Sequence, residues 1–532
     1  MQEGRHATLT IQFLILATLA LYARAGAVAL RRPISDFYVA GRLVPALFNG
    51  MAIAICLIPV LAFAGLAGAL SQGWDGASLL VLGGGGGVLL IALFVAPYLR
   101  KFGGCTVPDF LGERFGAPGV RPLAVLAVIL CSFPALALVL MGLGAIAMRV
   151  FAVGAETGIA AGVAMLLVCS IAAGMRSASL TQIVQYAVLL AASVVALAFF
   201  FWEQGTVFSG IEPAGLKSAL AIFKLDSFAA EDSLNGFALL FCLGAGIASL
   251  PHLLMRGLVT PSIEEARTSF LWALPFTAAL LLGAAPYLSL FDASPAASSE
   301  ASAILSFGLI ATGTVAALLA AGSGLVLAVA NALSYDLYYR SLHLTASTER
   351  RILVARAAIV LVAGLATWAA FAAPEAIPAM TGASFSLAAS TLLPALLLGI
   401  WWKRTTGDGA LAGMLAGLAV CLYYILAPRY IPFAFYETSS FLSNATPDEA
   451  ARYSALRQGY YLADETARAA ALAAWEETAR SVANWGGIKK DFAAVFAVPI
   501  GFLVMFGVSL FTPTPSRDVQ SFVEDLRKPS VA

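Results

Sequence analysis

Charged side chains are scarce in this sequence, and their scarcity decides which solvent the protein occupies. Asp, Glu, Lys and Arg make up 11% of the 532 residues, while 60% are hydrophobic. Soluble domains carry about 25% charged residues, so this much apolar surface needs lipid to cover it. The formal net charge of +1 provides no basic face for a nucleic acid. We therefore predict an all-α polytopic membrane protein whose main partner is the lipid bilayer and which binds no nucleic acid.

The sequence also has few residues that hold metals or carry out covalent chemistry. It contains three histidines and six cysteines, no CxxC pair occurs, and the cysteines sit in or beside apolar runs. Neither a metal site nor a disulfide framework is indicated. We find no nucleophile–base pair either. We therefore expect no enzymatic activity, no cofactor and no metal, with a sodium ion as the one exception considered below.

Long apolar runs are abundant, and each span needs about 20 such residues. About thirteen candidate spans are centred near residues 16, 57, 88, 135, 166, 193, 244, 280, 321, 362, 389, 419 and 501. Lys and Arg concentrate in alternate short loops, which therefore face the cytoplasm. These loops contain Arg31, Arg32, Arg42, Arg100, Lys101, Arg114, Arg176, Arg256, Arg267, Arg340, Lys403 and Arg404. The pattern places the N-terminus outside and the C-terminus in the cytoplasm.

Two further segments have a simple structural interpretation. In residues 430–488, Thr446 is suited to cap a helix and Pro447 to occupy its first position, so we predict a helical insertion covering the outer face. The run GGGGG at 83–87 lies within a span and no Lys-Ser/Thr follows it. It predicts close packing of helices through small residues, not a phosphate loop.

Two apolar spans contain residues that interrupt helices. Pro59 lies within the second span, and Gly244, Gly246 and Pro251 lie within the seventh. Pro59 has no N–H, so the carbonyl of Ile55 loses its helical partner, which costs several kcal/mol in hydrocarbon. Alone, Pro59 would fit an ordinary kink. Because the two spans are five apart, they are the first helices of two five-span halves of opposite orientation, the pattern of inverted repeats that bind solute near the midplane.

Several ordered motifs on this topology resemble one family. They are DFYVAGRLVPALFNGMAIA (36–54), GMRSASLTQIVQ (174–185), LPHLLMR (250–256), SYDLYYR (334–340) and AASTLLPALLLGIWWKRTTGDGALAG (388–413). Over most of residues 35–425 the chain is similar to the sodium:solute symporter family, and within it to the cation–acetate symporter branch. The resemblance implies a leucine-transporter-type fold of five plus five core helices with extra helices outside. It also implies a multi-pass protein of a bacterial-type inner membrane.

The resemblance and the span pattern together suggest a division of the chain. Residues 1–32 form an extra span, 33–204 the first repeat, 205–232 an outer loop and 233–407 the second repeat. Residues 408–429 form a further extra span, 430–488 the outer insertion, and 489–532 the last span and a cytoplasmic tail.

The resemblance also implies an ion site, which this sequence supports poorly. Its positions, partly backbone carbonyls and partly side chains, are Ile55, Ile58, Ala317, Ala320, Ala321 and Ser323. Ala320 and Ala321 stand where the family has hydroxyls, and Ser323 is the nearest hydroxyl in the chain. Gln182 replaces an aspartate of the common family form, as is usual in the acetate branch. The side chains of an ion site are therefore largely missing, and we expect sodium coupling to be weak.

Other residues are assigned to solute binding or to gating. The substrate candidates are Cys56, Gly246, Ser249, Ser386 and Ser390, and the candidates for gating or helix interruption are Pro59, Gly244, Pro251 and His252. His252 has two interpretations: a group that titrates near neutral pH in a proton-coupled cycle, or a structural contact near Arg256. Ser386 and Ser390 share a helical face and either line the cavity or bond back to carbonyls.

These observations predict a secondary transporter that moves a small organic solute by cation-coupled symport and alternating access, with an acetate-like monocarboxylate as the best candidate. The eroded ion site favours two alternatives: a solute receptor or regulatory protein on a transporter scaffold, and a proton-coupled or uncoupled permease. The sequence specifies no partner subunit.

Overall fold

The computed structural model describes residues 2–27, 34–72, 77–171, 174–203, 233–291, 301–372 and 376–528. Arg31, Arg32 and the whole of the predicted outer loop 205–232 lie outside these ranges. The described ranges contain helices and no β-strand, which confirms the prediction of an all-α protein.

The helices are numbered here in chain order. They are α1 (Gln2–Ala27), α2 (Ile34–Val39), α3 (Ala46–Gln72), α4 (Ala77–Leu90), α5 (Ala96–Phe102), α6 (Val107–Phe115), α7 (Val120–Phe151), α8 (Ala155–Ile171), α9 (Met175–Glu203), α10 (Ser233–Ser249), α11 (Pro251–Leu258), α12 (Ile263–Phe291), α13 (Ala301–Asn331), α14 (Thr348–Ala372), α15 (Ala376–Trp401), α16 (Gly407–Tyr430), α17 (Pro432–Ser439), α18 (Pro447–Leu462), α19 (Arg468–Val482), α20 (Ala494–Phe511) and α21 (Arg517–Arg527). Two π-helical segments, Ile91–Val95 and Ala332–Leu342, continue α4 and α13.

Each of the thirteen predicted span centres lies within one of these helices. Over the described residues, nine helices are long and apolar enough to cross a membrane, and two bent pairs raise the number to eleven. The other two centres lie in α8, which has 17 residues, and in α12, which opens with Glu264, Glu265 and Arg267. The chain is therefore a polytopic membrane protein.

The two bent spans are the first helices of the two predicted halves. Residues Leu234–Ser249 and Pro251–Leu258 meet at 44°. Between them Leu250 is extended (φ −65°, ψ 118°), and Pro251 opens the second piece. The interruption in this span lies where its proline predicts it, because a proline suits the first position of a helix, whereas in the interior it removes a hydrogen bond.

The first span differs from the prediction at Pro59. Helix α3 runs through the buried Pro59 without a break, so the interruption predicted there is wrong. The bend of 103° lies earlier, between Ile34–Arg42 and Ala46–Pro59. Proline removes a single helical hydrogen bond, and packed neighbours in a membrane protein tolerate that loss. The corner is instead made by positive φ angles at residues 40–42 and by Pro45, which cannot continue a preceding helix.

Helix pairing between the two halves is reciprocal. The first helix of each half packs on the second helix of the other, and the third helix of each half packs on the fifth of the other. The four pairs are α3 with α12, α10 with α4, α7 with α15, and α13 with α9. Such an exchange is expected when two related halves are joined in opposite orientations, and it brings the two bent spans together at the centre.

The basic residues of the predicted inner loops gather at one end of the bundle, where they bind main-chain carbonyls. Arg42 donates to the carbonyl of Gly103, Arg100 to that of Thr260, Lys101 to that of Asp525, and Arg404 to that of Thr512. We call this end the basic face, defined by Arg42, Arg100, Lys101, Lys403 and Arg404. The C-terminal helix α21 docks there through an ion pair between Lys403 and Glu524.

The end of α16 away from the basic face carries the insertion. Thr446 caps the start of α18, as the sequence predicts, and forms a capping box with Glu449. Helices α18 and α19 pack against each other around Tyr453 and Trp475, which form a small hydrophobic core separate from that of the membrane bundle.

Candidate functional site

Half of the predicted ion-site residues meet at one place, which we call the junction: the point where α3, α9, α11 and α13 come together. Ile55 and Cys56 of α3 and Ala320 and Ser323 of α13 are all buried, and the two helices pack against each other. The thiol of Cys56 donates to the carbonyl of Ala320 across 3.5 Å. Two of the four helices belong to each predicted half, so any movement of the halves relative to each other would change the shape of the junction.

Gln182 of α9 occupies the oxygens that an ion would need. Its Nε2 donates to the carbonyl of Ala320 at 2.8 Å and to Oγ of Ser323 at 3.1 Å. The Ser323 hydroxyl itself donates to the same carbonyl at 2.9 Å. A sodium ion at this position would have to displace these donors and recover the free energy of their hydrogen bonds. The side chains of Gln182 and Ser323 thus occupy the positions around the Ala320 carbonyl that a sodium ion would need.

Arg256 of α11 reaches the junction from the other side. Its side chain is fully buried. Nη1 donates to Oγ of Ser179 at 3.0 Å, and Nη2 donates to Oε1 of Gln182. Asn49 of α3 holds this part of α11 in place by donating to the carbonyl of Arg256 at 2.9 Å. A chain of hydrogen bonds thus runs from the guanidinium of Arg256 through Gln182 to α13.

Sequence reasoning missed the roles of Arg256 and Gln182. It placed Arg256 in an inner loop, whereas the structure buries it. The available signal was spacing: His252 and Arg256 are four residues apart on α11, and Ser179 and Gln182 are three apart on α9, so each pair shares a helical face. That the two faces meet could not be read from one sequence.

His252 lies one helical turn before Arg256 and is 3% exposed. Neither ring nitrogen has a hydrogen-bond partner among the described residues. The space beside the ring is created by Gly324: a Cβ built there would lie 3.7 Å from Cδ2 of His252 and 3.9 Å from Nε2 of Gln182. The structural contact expected for His252 is thus packing without a hydrogen bond.

The remaining predicted ion-site residues lie near the junction without a polar contact to it. Ala317 and Ala321 are buried on α13, one helical turn apart, and Ile58 is partly exposed on α3. None of these three residues adds a side-chain oxygen.

The predicted substrate residues other than Cys56 do not converge there. The hydroxyl of Ser249 bonds back to the carbonyls of Ala245 and Gly246 at 2.7 and 3.0 Å. Gly246 packs on Phe385, whose Cβ would be 2.7 Å from an added Cβ. Gly244 faces α4 near the carbonyl of Gly83.

Ser386 and Ser390 of α15 face the extra helices. Ser386 donates to the carbonyl of Asp491 at 2.7 Å, just before α20. Ser390 bonds back to the carbonyl of Leu387 at 3.3 Å, and its own carbonyl lies 2.1 Å from where a Cβ on Gly417 would be. These two serines therefore pack α15 against its neighbours, and the structure does not bring them to Cys56.

Comparisons with known proteins agree with this architecture. The model of the sodium:solute symporter family matches residues 37–298 and 293–417. An uncharacterized symporter of Cupriavidus necator is 30% identical over 97% of this chain and 93% of its own length. The monocarboxylic acid transporter of Corynebacterium glutamicum is 27% identical over 74% of this chain and 78% of its own length.

Among solved structures, a Na⁺-coupled sialic acid symporter in a substrate-bound outward-open state aligns with a TM-score of 0.68. The alignment covers 95% of this chain and 98% of that one, at 15% identity. The likeness in fold confirms the leucine-transporter-type architecture with additional helices.

Proposed function

Because the chain belongs to the sodium:solute symporter family, we propose that it is a secondary transporter that carries a short monocarboxylate across the membrane by alternating access. One observation of the site carries the choice of an anionic solute: Arg256 places a fully buried positive charge at the junction of the two halves. The relative from Corynebacterium glutamicum, named as a monocarboxylic acid transporter, supports the same solute class.

We further propose that sodium contributes little to driving transport. The carbonyl of Ala320 already accepts from Gln182 and Ser323, and a guanidinium two hydrogen bonds away repels a second cation. Protons or the solute gradient are then the remaining driving forces.

We also propose that the protein sits in a bacterial-type inner membrane with its basic face towards the cytoplasm. Basic loops favour the cytoplasmic side, and Arg42, Arg100 and Lys101 bind carbonyls at the same end as α21. With this orientation the C-terminus is cytoplasmic and the N-terminus is outside.

Uptake of radiolabelled acetate into proteoliposomes tests the proposed function. We expect saturable uptake above that of empty liposomes. Unlabelled propionate should compete, and acetamide, which has nearly the same shape and no charge, should not. Saturable binding without any uptake would instead favour the receptor on a transporter scaffold, and inhibition by acetamide equal to that by propionate would contradict an anionic solute.

A further inference from the structure

The guanidinium of Arg256 is buried with neutral partners alone. Over the described ranges no carboxylate lies within ion-pair distance of it, and its side-chain partners are Ser179 and Gln182. The Nε of Arg256 has no partner among the described residues. Buried charges in membrane proteins are normally paired with an opposite charge or with several carbonyls. The positive charge of Arg256 is therefore left without its counterpart.

Two other arginines of the same chain show the usual solutions. Arg121 pairs with the carboxylate of Asp109 at 3.0 Å. Arg114 is buried almost as completely as Arg256 but donates to three carbonyls, the nearest that of Gly399 at 2.8 Å. In neither case does the guanidinium need a further partner, and Arg256 differs from the similarly buried Arg114 by its surroundings alone.

A second unused donor lies on the same face of α11. His252 precedes Arg256 by four residues, so the two side chains are neighbours on the helix. A neutral imidazole always carries one N–H, and neither ring nitrogen of His252 is bonded among the described residues. The hydrogen at Gly324 leaves a small gap between the His252 ring and the Gln182 amide.

We infer that Arg256 and His252 form the positive end of a small-anion site at the junction, with Gln182 closing the site when no anion is bound. The guanidinium supplies the charge and the imidazole N–H supplies a directional hydrogen bond. The missing side chain at Gly324 leaves room for about one heavy atom beside His252 and Gln182, so a larger anion enters only when the Gln182 amide moves aside. Naming the carboxylate of the transported solute as that anion rests on the proposed function. Chloride has the same charge and is the other source to be distinguished.

The sharpest test is Gln182→Glu. Oε1 of Gln182 already accepts from Arg256, so a glutamate of the same shape gives the guanidinium a permanent counter-charge and should expel any other anion. Gln185→Glu is the matched control, because Gln185 lies three residues further along α9, is equally buried and makes no hydrogen bond to Arg256. Binding of radiolabelled acetate and of chloride to the purified protein is measured for both variants.

We expect Gln182→Glu to raise the Kd of the bound anion at least about tenfold, as loss of a buried charge partner does, and Gln185→Glu to leave it nearly unchanged. Acetate binding that chloride does not inhibit assigns the site to the solute, and competition between the two assigns it to small anions in general. Equal affinities in the two variants, or binding of neither anion by the wild type, would overturn the inference.

A second pair of variants covers the case in which Gln182→Glu does not fold. His252→Leu should weaken acetate binding about tenfold through the loss of one hydrogen bond to a charged group, and His252→Gln, which keeps an N–H, should recover most of it. Unchanged binding in His252→Leu would count against the site. If the protein binds an anion in a way that depends on Gln182 but takes up no acetate, the proposed function is refuted and the anion site is not. If Gln182→Glu takes up acetate normally, the anion site is refuted and the proposed function is not.

Discussion

Replacing Gly87 by alanine should push α4 away from the bent span that begins with α10. A Cβ at residue 87 would lie 2.7 Å from Cβ of Ile247 and 2.8 Å from the carbonyl oxygen of Gly244. Gly86, the next residue back in the same glycine run, has nothing within 4 Å of an added Cβ. One run thus contains both the test position and its control.

The two substitutions should change the free energy of unfolding in opposite directions. Carbon atoms prefer a separation of about 3.5–4.0 Å, so Gly87→Ala requires the helices to part by roughly 1 Å, and such overpacking costs about 1–3 kcal/mol. Gly86→Ala meets no neighbour and gains about 1 kcal/mol of helix propensity. Gly87→Ala gains the same helix propensity, so the free energies of unfolding of the two variants should differ by the overpacking cost alone, about 1–3 kcal/mol.

Thermal unfolding of the detergent-purified protein, followed by size-exclusion chromatography after heating, measures this difference. We expect the midpoint of Gly87→Ala to fall below that of the wild type and that of Gly86→Ala to match or exceed it. Acetate uptake should fall in the first variant because Gly244 and Ile247 lie within two turns of the bend at Leu250. Equal midpoints for the two variants would refute the close approach of α4 and α10 on which the reasoning depends.

Three further predictions concern the ion site, the proline and the topology. Uptake by the wild type should depend only weakly on sodium, and Ser323→Ala should leave that dependence unchanged. Steep, saturable activation at low millimolar sodium that is lost in Ser323→Ala would contradict this prediction. Because α3 already runs through Pro59, Pro59→Ala should leave uptake close to that of the wild type; a large loss of uptake with normal expression would contradict a role for Pro59 in packing alone. A cysteine placed at Ala470 in a cysteine-free background should react with an impermeant label from outside, and labelling from the inside alone would invert the proposed orientation.

The sequence predicts the fold well because hydropathy and proline act locally. Apolar runs locate all thirteen centres within helices, and Pro251 locates a true interruption because the residue before a proline is driven to an extended conformation. The same rule fails at Pro59, where burial against neighbouring helices compensates for one missing hydrogen bond. The stronger signal in that half was Pro45, directly before α3, together with the glycine at position 41.

The site is harder to predict because its contacts join distant parts of the chain. Gln182 and Arg256 are 74 residues apart in sequence, and hydropathy says only that each is polar beside an apolar run. Ser386 and Ser390 illustrate the opposite error. Their spacing places them on one face of a core helix, as a binding site would require, but that face packs against α16 and α20. Which face of a core helix meets the junction depends on how many extra helices surround it, and spacing within one helix does not contain that information.

The placement of Arg256 links the electrostatics of the site to the transport cycle. A mobile coupling cation has to be bound and released in every turnover, whereas a guanidinium on α11 stays with the protein while α11 moves relative to α9. In the proposed transport cycle, separation of the halves would stretch or break the bond from Arg256 to Gln182, and the charge would then need another partner. An anionic solute entering the junction would provide one, so on this proposal the step that opens the site also favours solute binding. Neutralising Arg256 with a glutamate at 182 should then do more than weaken affinity: it should stabilise the closed junction and slow exchange of solute in both directions.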